Sequence, residues 1–441
     1  MKIKSKISLG LFLLLCLPSL LPSVWAETAT EDPLEYWLAD SAPFWNWDGE
    51  TFMQHAAGVG FQWTTENKSA RAAPLQRELF GTTAYEAVVR FKDGSPYSFM
   101  ASYFNRGDSE TPLSESEFKR QVRDLIQIIS STIRVQARPG NRSSNRSGIS
   151  EDSRVWQRPN IQFELSYSFT SSGNSGRFRA EYIRLVAREF TASQIPSHAR
   201  DRVNPYEIRK NVTRDRESGD VWIANIPMVD QGPKGYCAAA TSERILRFFG
   251  QEVDQHQVAQ VANTTSKGGT MPDELKKALQ AVGRQYGFTF DAHIEWDFED
   301  FREDMDDYNE LAAEKLTTYV PLPHGGVWYI ADMYLAVDSE TWKELKLKQR
   351  SGFRKFEERI KKYVDGGCPL AWSVTLGMFP ESTETGRGGH LRLIIGYNTR
   401  TREILFSDTW GLGHEKKRMP IDQAFAITQS LFSLEPKGLR L

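Results

Sequence analysis

The sequence predicts an α+β protein of two domains, in which the second domain is organised around a cysteine at the start of a helix. A chain of 441 residues is too long for one ordinary hydrophobic core and suits two. Residues 84–190 read as a hairpin, a helix and a second hairpin, whereas residues 237–408 change from helical to strand-like periodicity. The stretch Asp230–Gly250, DQGPKGYCAAATSERILRFFG, places Cys237 between a glycine-rich loop and an amphipathic helix.

Residues 1–26 have the features of a cleavable export signal. Three lysines precede an apolar run over residues 9–17, and Ala26 is the small residue that a signal peptidase requires at its cut. We expect cleavage after Ala26 and a secreted or periplasmic protein. The apolar run is too short for a membrane anchor, and no later segment approaches the roughly 20 apolar residues of a spanning helix, so we expect no membrane span.

The charge balance argues against a nucleic acid partner. Residues 1–26 contain three lysines and no acidic residue, so their removal changes the formal net charge from −2 to −5, with 52 basic and 57 acidic residues left. Proteins that bind nucleic acid usually carry a basic excess. The sequence also contains no HExxH or CxxC motif and its histidines are scattered, so we expect neither a metal nor another cofactor.

Residues 27–200 are predicted to form a small α+β domain, whose role the sequence does not indicate. Its aromatic-rich lead-in, residues 27–45, is expected to pack against the domain core. The first hairpin pairs AYEAVVRF with YSFMASYF around the Asp93-Gly94 turn. The helix that follows has a capping box formed by Ser114 and Glu117.

The remainder of this domain contains a polar segment and a second hairpin. Arg138–Arg154 is rich in glycine and serine and lacks periodicity, so we interpret it as a flexible loop. The second hairpin pairs IQFELSYSF with RFRAEYIRLVAREF and turns through Ser171–Gly176. Residues 201–220 carry many charges and few apolar side chains, and we interpret them as a linker.

Residues 221–441 are predicted to form the second domain. After the Cys237 helix come two shorter helices, and the charged residues 298–317 and 339–364 are helical in pattern. Between these two, the segment TYVPLPHGGVWYIADMYLAV is expected to be a loop or a pair of strands. The segments CPLAWSVTL, HLRLIIGYN and EILFSDTW predict three successive strands, and a loop over residues 378–389 leads from the first to the second.

Cys237 is the candidate nucleophile. At the start of a helix, unpaired backbone N–H groups and the positive end of the helix dipole both favour a thiolate. Gln231, six residues upstream, could donate its amide to an oxyanion formed beside the cysteine. Most lone cysteines are instead small buried hydrophobes, and Cys237 could also form a disulfide with Cys368. The loop context favours a free, reactive thiol at Cys237 and a buried Cys368 at the start of a strand.

His390 and Asp408 are the candidate base and orienting carboxylate. A thiol nucleophile needs a base within hydrogen-bond reach, and the base needs a group that fixes its tautomer. His390 begins an apolar strand, and Asp408 ends the next strand 18 residues later. If the two strands pair as a hairpin, both side chains lie near one end of the sheet, where Trp410 could shield their hydrogen bond. Each residue also has an ordinary interpretation, as a half-buried histidine and a turn-forming aspartate.

These residues resemble the site of papain-like cysteine peptidases. DQGPKGYC is similar to the nucleophile loop of that family, and the order Gln231, Cys237, His390 and then SDTWG, Ser407–Gly411, follows the family pattern. The similarity is closer to the bacterial branch related to bacteriocin-processing peptidases, which has Asp where papain has Asn, and it extends over about residues 221–432. It implies a papain-like fold, in which the cysteine helix packs on an antiparallel sheet that carries the histidine and the aspartate.

The sequence departs from the papain pattern at two positions beside the nucleophile. Lys234 stands where papain relatives keep a disulfide cysteine, and Ala238 replaces the usual aromatic residue. These departures concern substrate specificity more than chemistry. The double-glycine cleavage rule of bacteriocin processors is not carried over, because those enzymes are usually fused to transporters.

We therefore expect an exported cysteine peptidase that hydrolyses a peptide or protein substrate. The resemblance implies a triad of Cys237, His390 and Asp408, with Gln231 as oxyanion-hole donor. The same site would serve an acyltransferase or transglutaminase-like enzyme, which an added amine acceptor would reveal. A third alternative is a secreted binding protein with a catalytically idle domain, but a scaffold requires none of these four residues.

Overall fold

A computed structural model describes residues 32–109, 111–144, 148–171, 178–190, 205–233, 235–262, 272–323, 325–381 and 386–439. The predicted export signal lies outside these ranges. The described residues form two separate hydrophobic cores, one from residues 34–187 and one from residues 208–434. Helices and antiparallel sheets contribute to both, in agreement with the predicted α+β class. Within the described ranges, no helix has the length and apolar character needed to cross a bilayer.

The first core is built on an antiparallel sheet of eight strands. These are β1 (Gln62–Thr65), β2 (Ser69–Ala72), β3 (Glu86–Lys92), β4 (Ser95–Asn105), β5 (Arg138–Ser144), β6 (Ile149–Gln157), β7 (Ile161–Ser171) and β8 (Phe178–Glu189), in the order β1-β2-β3-β4-β8-β7-β6-β5. Helices α1 (Gly49–Ala56) and α2 (Glu115–Ile133) supply apolar faces to the same core. The predicted capping box opens α2, and Phe44 and Trp45 of the aromatic lead-in are buried in this core.

The interpretation of Arg138–Arg154 as a loop is wrong. Residues 138–144 and 149–157 form β5 and β6, the hairpin at one edge of the sheet. Strand β6 pairs along its whole length with β7, from Ile149 opposite Thr170 to Gln157 opposite Gln162. An edge hairpin is held by backbone hydrogen bonds and needs no continuous apolar face, so its polar sequence shows no strand-like alternation.

The second core combines nine helices and eight strands among the described residues. The helices are α3 (Pro205–Arg209), α4 (Cys237–Phe248), α5 (Gln255–Ala262), α6 (Pro272–Tyr286), α7 (Phe298–Lys315), α8 (Ile330–Ala336), α9 (Ser339–Lys348), α10 (Arg350–Asp365) and α11 (Ile421–Ile427). The strands are β9 (Val212–Arg214), β10 (Asp220–Ile223), β11 (Phe288–Ile294), β12 (Leu370–Leu376), β13 (Gly388–Asn398), β14 (Glu403–Ser407), β15 (Lys417–Pro420) and β16 (Thr428–Pro436). The sheet order is β11-β16-β12-β13-β10-β9, and β14 pairs with β13 and β15.

The three strands expected from the C-terminal sequence are β12, β13 and β14, but two other segments differ from expectation. Residues 318–337 contain helix α8 in place of strands, because a short apolar run fits a helix and a strand equally well. Within the stretch interpreted as a linker, residues 212–214 form β9, and Asp220 begins β10 opposite Asn398 of β13. This stretch therefore contributes an edge to the second sheet.

The first sheet packs against the helices that follow the nucleophile loop. Arg90 of β3 pairs with Glu243 of α4 at 3.4 Å, and Arg184 of β8 pairs with Asp254, the residue before α5. Both carboxylates are buried. Glu243 also pairs with Arg247 of its own helix at 3.2 Å, and Arg184 supplies a charge from the first sheet to Asp254. Because a buried charge without a partner is costly, these ion pairs connect the two cores.

Gly107, in the turn after β4, lies directly against Tyr236, the residue before Cys237. A methyl group at Gly107 would overlap the tyrosine ring, which is buried and hydrogen-bonded through its hydroxyl to Asn105 at 3.4 Å. We expect Gly107→Ala to lower the free energy of unfolding by about 1–3 kcal/mol through overpacking, as measured by urea denaturation. Gly352→Ala in α10 is the control, because its methyl meets only ordinary contacts. Equal stability of the two variants would contradict the close packing at Gly107.

Candidate active site

Cys237 is the first residue of α4 and lies where this helix meets β13. Tyr236 occupies the cap position, and no side chain of the described residues caps the helix. The backbone N–H groups of Leu391 and Ala238 hydrogen-bond the Cys237 sulfur. One turn further on, Thr241 donates to the carbonyl of Leu391 at 3.1 Å, which fixes α4 against β13.

His390 and Asp408 are brought together by the pairing of β13 with β14. His390 lies on β13 and Asp408 follows β14, and His390 Nε2 is 2.5 Å from Asp408 Oδ1. This contact leaves Nδ1 for Cys237, whose thiol is hydrogen-bonded to the imidazole. The Trp410 indole stacks on the imidazole with 4.3 Å between ring centroids and 5° between planes. The indole covers one face of the His390 ring and so limits the access of water to the hydrogen bond with Asp408.

The charges of this group favour a thiolate beside an imidazolium. Burial opposes the charged forms, but the hydrogen bond and charge of His390 outweigh it and lower the pKa of the Cys237 thiol. Burial also opposes the imidazolium, yet the charge and hydrogen bond of Asp408 raise the pKa of His390 to about 9. The pKa of Asp408 is lowered against the effect of burial by His390 and Arg392. These shifts favour negative, positive and negative charges on Cys237, His390 and Asp408 in turn.

Cys368 lies in the opposite kind of environment. Cys237 and Cys368 are both free thiols, so the structure does not contain the alternative disulfide between them. Cys368 is fully buried two residues before β12, and burial raises its thiol pKa far above the usual range. Its surroundings are those of a packed apolar residue.

Two buried arginines that are absent from the predicted site surround Asp408. Arg244 of α4 donates to the backbone carbonyls of Asp408, at 2.6 Å, and Pro227, at 2.9 Å. Arg392 of β13 approaches the carboxylate itself. A signal was present in the sequence, because an arginine inside the apolar run LRLII has to find a buried partner.

Thr409, the residue after Asp408, hydrogen-bonds Gln231 and so holds it next to Asp408. The backbone N–H of Gln231 donates to the Thr409 carbonyl at 2.9 Å, and the Thr409 hydroxyl donates to Gln231 Oε1 at 2.5 Å. Because the amide oxygen is used in this way, the donor end of the amide points away from Thr409. The contact fixes the orientation of an amide that is almost fully buried.

The loop that carries Gln231 is also fixed from the first sheet. Asp230 Oδ1 accepts from the N–H of Gly232 at 2.8 Å, while Arg71 of β2 lies 3.4 Å from Asp230 Oδ2. Gly232 has a φ of 68°, and a side chain there would approach the Arg71 guanidinium. The backbone conformation at this position therefore favours glycine.

One cluster of the described residues has ligand atoms close enough for a metal ion, within 4.8 Å of one another: Glu86, Asp108 and His256. Arg71 Nε lies 3.2 Å from Glu86 Oε1, and His256 Nε2 lies 3.5 Å from Glu86 Oε2. A guanidinium thus already supplies the positive charge that a metal would bring. The cluster lies between the two cores and is best described as an ion-pair group.

The comparison with protein families finds one match, which covers about a quarter of the chain. Residues 324–430 match the model of the Peptidase_C39 like family. This segment includes His390 and Asp408 but neither Cys237 nor Gln231. No curated protein sequence matches the chain significantly. The match indicates a cysteine peptidase-like region that is similar to this family, and the mixed helix and sheet architecture is compatible with such a domain.

Proposed function

We propose that the protein is an exported cysteine peptidase with a papain-like catalytic domain, which hydrolyses peptide bonds. The observation that carries the proposal is the continuous contact from the Cys237 thiol to the His390 imidazole and on to the Asp408 carboxylate, at the start of a helix. Nucleophile, base and orienting group of a thiol hydrolase require this series of contacts. The family match over residues 324–430 supports the same class.

In the proposed reaction the Cys237 thiolate attacks the carbonyl carbon of the scissile peptide bond. The negative charge that develops on the carbonyl oxygen is stabilised by the Gln231 amide and the Cys237 backbone N–H. His390 then gives its proton to the leaving amine, which breaks the C–N bond and leaves a thioester on the sulfur. A water molecule, deprotonated by His390, hydrolyses the thioester and restores the thiolate–imidazolium pair. Asp408 keeps the imidazole in the required tautomer throughout.

Selective alkylation tests the thiolate on which the proposal depends. We expect iodoacetamide to modify Cys237 at a pH below the ordinary thiol range and to leave Cys368 unmodified, because the first thiol has a lowered pKa and the second a raised one. Peptide mass spectrometry measures both rates as a function of pH. Cys368→Ala serves as the control and should retain the full rate at Cys237. Equal rates at the two thiols, or a midpoint for Cys237 near the ordinary thiol value of about 8.5, would contradict the ion pair.

A further inference from the structure

Arg392 connects the candidate triad to the loop that precedes β13. It lies two residues beyond His390, so both side chains are on the same face of the strand, and its side chain is fully buried. Arg392 Nε is 2.8 Å from Asp408 Oδ2, but its N–H is not directed at the oxygen, so the contact is an ion pair and not a hydrogen bond. The two terminal nitrogens each donate to one oxygen of Glu381, at 2.9 Å.

We propose that Arg392 and Glu381 are positioning residues of the reaction proposed above, on which this inference rests. Arg392 fixes the Asp408 carboxylate and balances its charge, and Glu381 fixes Arg392. The carboxylate uses Oδ1 for His390 and Oδ2 for Arg392, so it cannot rotate without losing one of the two partners. The orientation of the imidazole follows from that of the carboxylate, and a misdirected imidazole can neither accept nor return the proton.

The burial of Arg392 supports this role over a purely structural one. Ile394, two residues further along the same face of β13, is apolar and buried, and an apolar side chain at position 392 would fill the strand without any charge to bury. Replacing a buried ion pair by apolar residues is often neutral or stabilising. Arg392 instead pairs at once with Asp408 and Glu381 and lies with its guanidinium 4.6 Å from the centre of the Phe406 ring. Its position couples the orienting carboxylate to the loop before His390.

The charges from Cys237 to Glu381 alternate in sign along a continuous series of contacts. The other charged groups that act on Asp408 are Lys417 of β15 and Arg244 of α4, and Glu415 acts on Arg244 in turn. Arg244 donates to backbone and hydroxyl oxygens, so Arg392 is the guanidinium that contacts the Asp408 carboxylate within the described ranges. Removing a positive charge raises the pKa of neighbouring groups, and removing a negative charge lowers it.

The test is the pH dependence of iodoacetamide alkylation at Cys237 in four proteins: the native chain, Arg392→Gln, Glu381→Gln and the double variant. We expect Arg392→Gln to move the alkylation midpoint upwards and Glu381→Gln to move it downwards, each by several tenths of a pH unit to about one unit. The double variant should return close to the native midpoint because the two charge changes offset each other. A pair of residues that packs without acting on the charges of the triad would not produce shifts of opposite sign, and the effect on kcat described below reports the positioning.

Arg418→Gln is the matched control. Arg418 of β15 also bridges two carboxylates in the same sheet, Asp220 at 2.9 Å and Glu403 at 3.0 Å, but it does not contact the triad. The alkylation midpoint of Cys237 in the Arg418→Gln variant should equal that in the native protein.

On a cleaved peptide, Arg392→Gln should lower kcat about tenfold or more with KM within about twofold, because a positioning residue acts on the chemical step. If Arg392→Gln does not fold, Glu381→Gln and the charge-balanced double variant can still be compared with the native protein in the alkylation midpoint of Cys237.

The outcomes separate this inference from the proposed function. A native Cys237 that titrates as an ordinary thiol overturns the proposed function, and this inference with it. A native Cys237 with a low midpoint, combined with no shift or shifts of the same sign in the Arg392 and Glu381 variants, overturns the positioning role alone. Opposite shifts that cancel in the double variant support it.

Discussion

Replacing His390 by alanine is expected to lower kcat/KM for a cleaved peptide by a factor on the order of 10⁴ or more, about 5.5 kcal/mol of transition-state stabilisation. The variant loses the general base and the acid that protonates the leaving amine. It also loses the hydrogen bond and charge that lower the thiol pKa of Cys237. The measurement is steady-state hydrolysis together with the pH dependence of alkylation at Cys237, whose midpoint should move upwards in the variant.

The pH dependence of hydrolysis by the native protein is a second test of His390. The reactive form needs a deprotonated Cys237 and a protonated His390, and the pKa of His390 is raised to about 9. Hydrolysis should therefore fall as the pH rises through about 9, whereas alkylation should persist there because the thiolate remains. His293→Gln is the control, since His293 contacts Ser433 at 3.1 Å in the same core and lies outside the site. A His390→Ala variant that hydrolyses peptide within tenfold of the native rate would exclude the proposed base.

Replacing Gln231 by alanine is expected to reduce kcat by a factor on the order of 10²–10³ and to change substrate binding little. An oxyanion donor acts only when negative charge develops on the carbonyl oxygen, so its loss affects the transition state and not the bound substrate. The melting temperature should fall modestly, because the Thr409 hydroxyl loses its acceptor, a cost of about 1 kcal/mol. The measurement is kcat, KM and melting temperature on one cleaved peptide.

Thr409→Val separates the oxyanion role from the structural one. This variant removes the same hydrogen bond to Gln231 Oε1 but keeps the amide. We expect its kcat to fall at most about tenfold, through a less fixed amide, while its stability falls as in Gln231→Ala. If Gln231→Ala turns over within about threefold of the native protein, which is under 1 kcal/mol, Gln231 only closes its loop.

The local elements near the site could be predicted from the sequence because their signals lie within short windows. The glycine-rich loop before Cys237 and the apolar residues after it predict the helix that begins at Cys237, as α4 does. Ser114 and Glu117 predict the capping box of α2, and alternation predicts β12, β13 and β14. The polar hairpin β5–β6 at one edge of the sheet has no such pattern, so the sequence predicts a loop there.

By itself, the sequence determined the α+β class, the helix that carries Cys237 and the strands that carry His390 and precede Asp408. Only the tertiary structure decided which charges are buried together. Arg392 meets Glu381 and Asp408, Arg244 reaches the Asp408 carbonyl 164 residues away, and Gln231 is oriented by Thr409, 178 residues away. Periodicity reports which face of an element is apolar, but burial of a charged or amide group depends on a partner that another segment supplies. The register of β13 with β14 and the packing of α4 on β13 supply those partners, and neither is encoded in any single window of the chain.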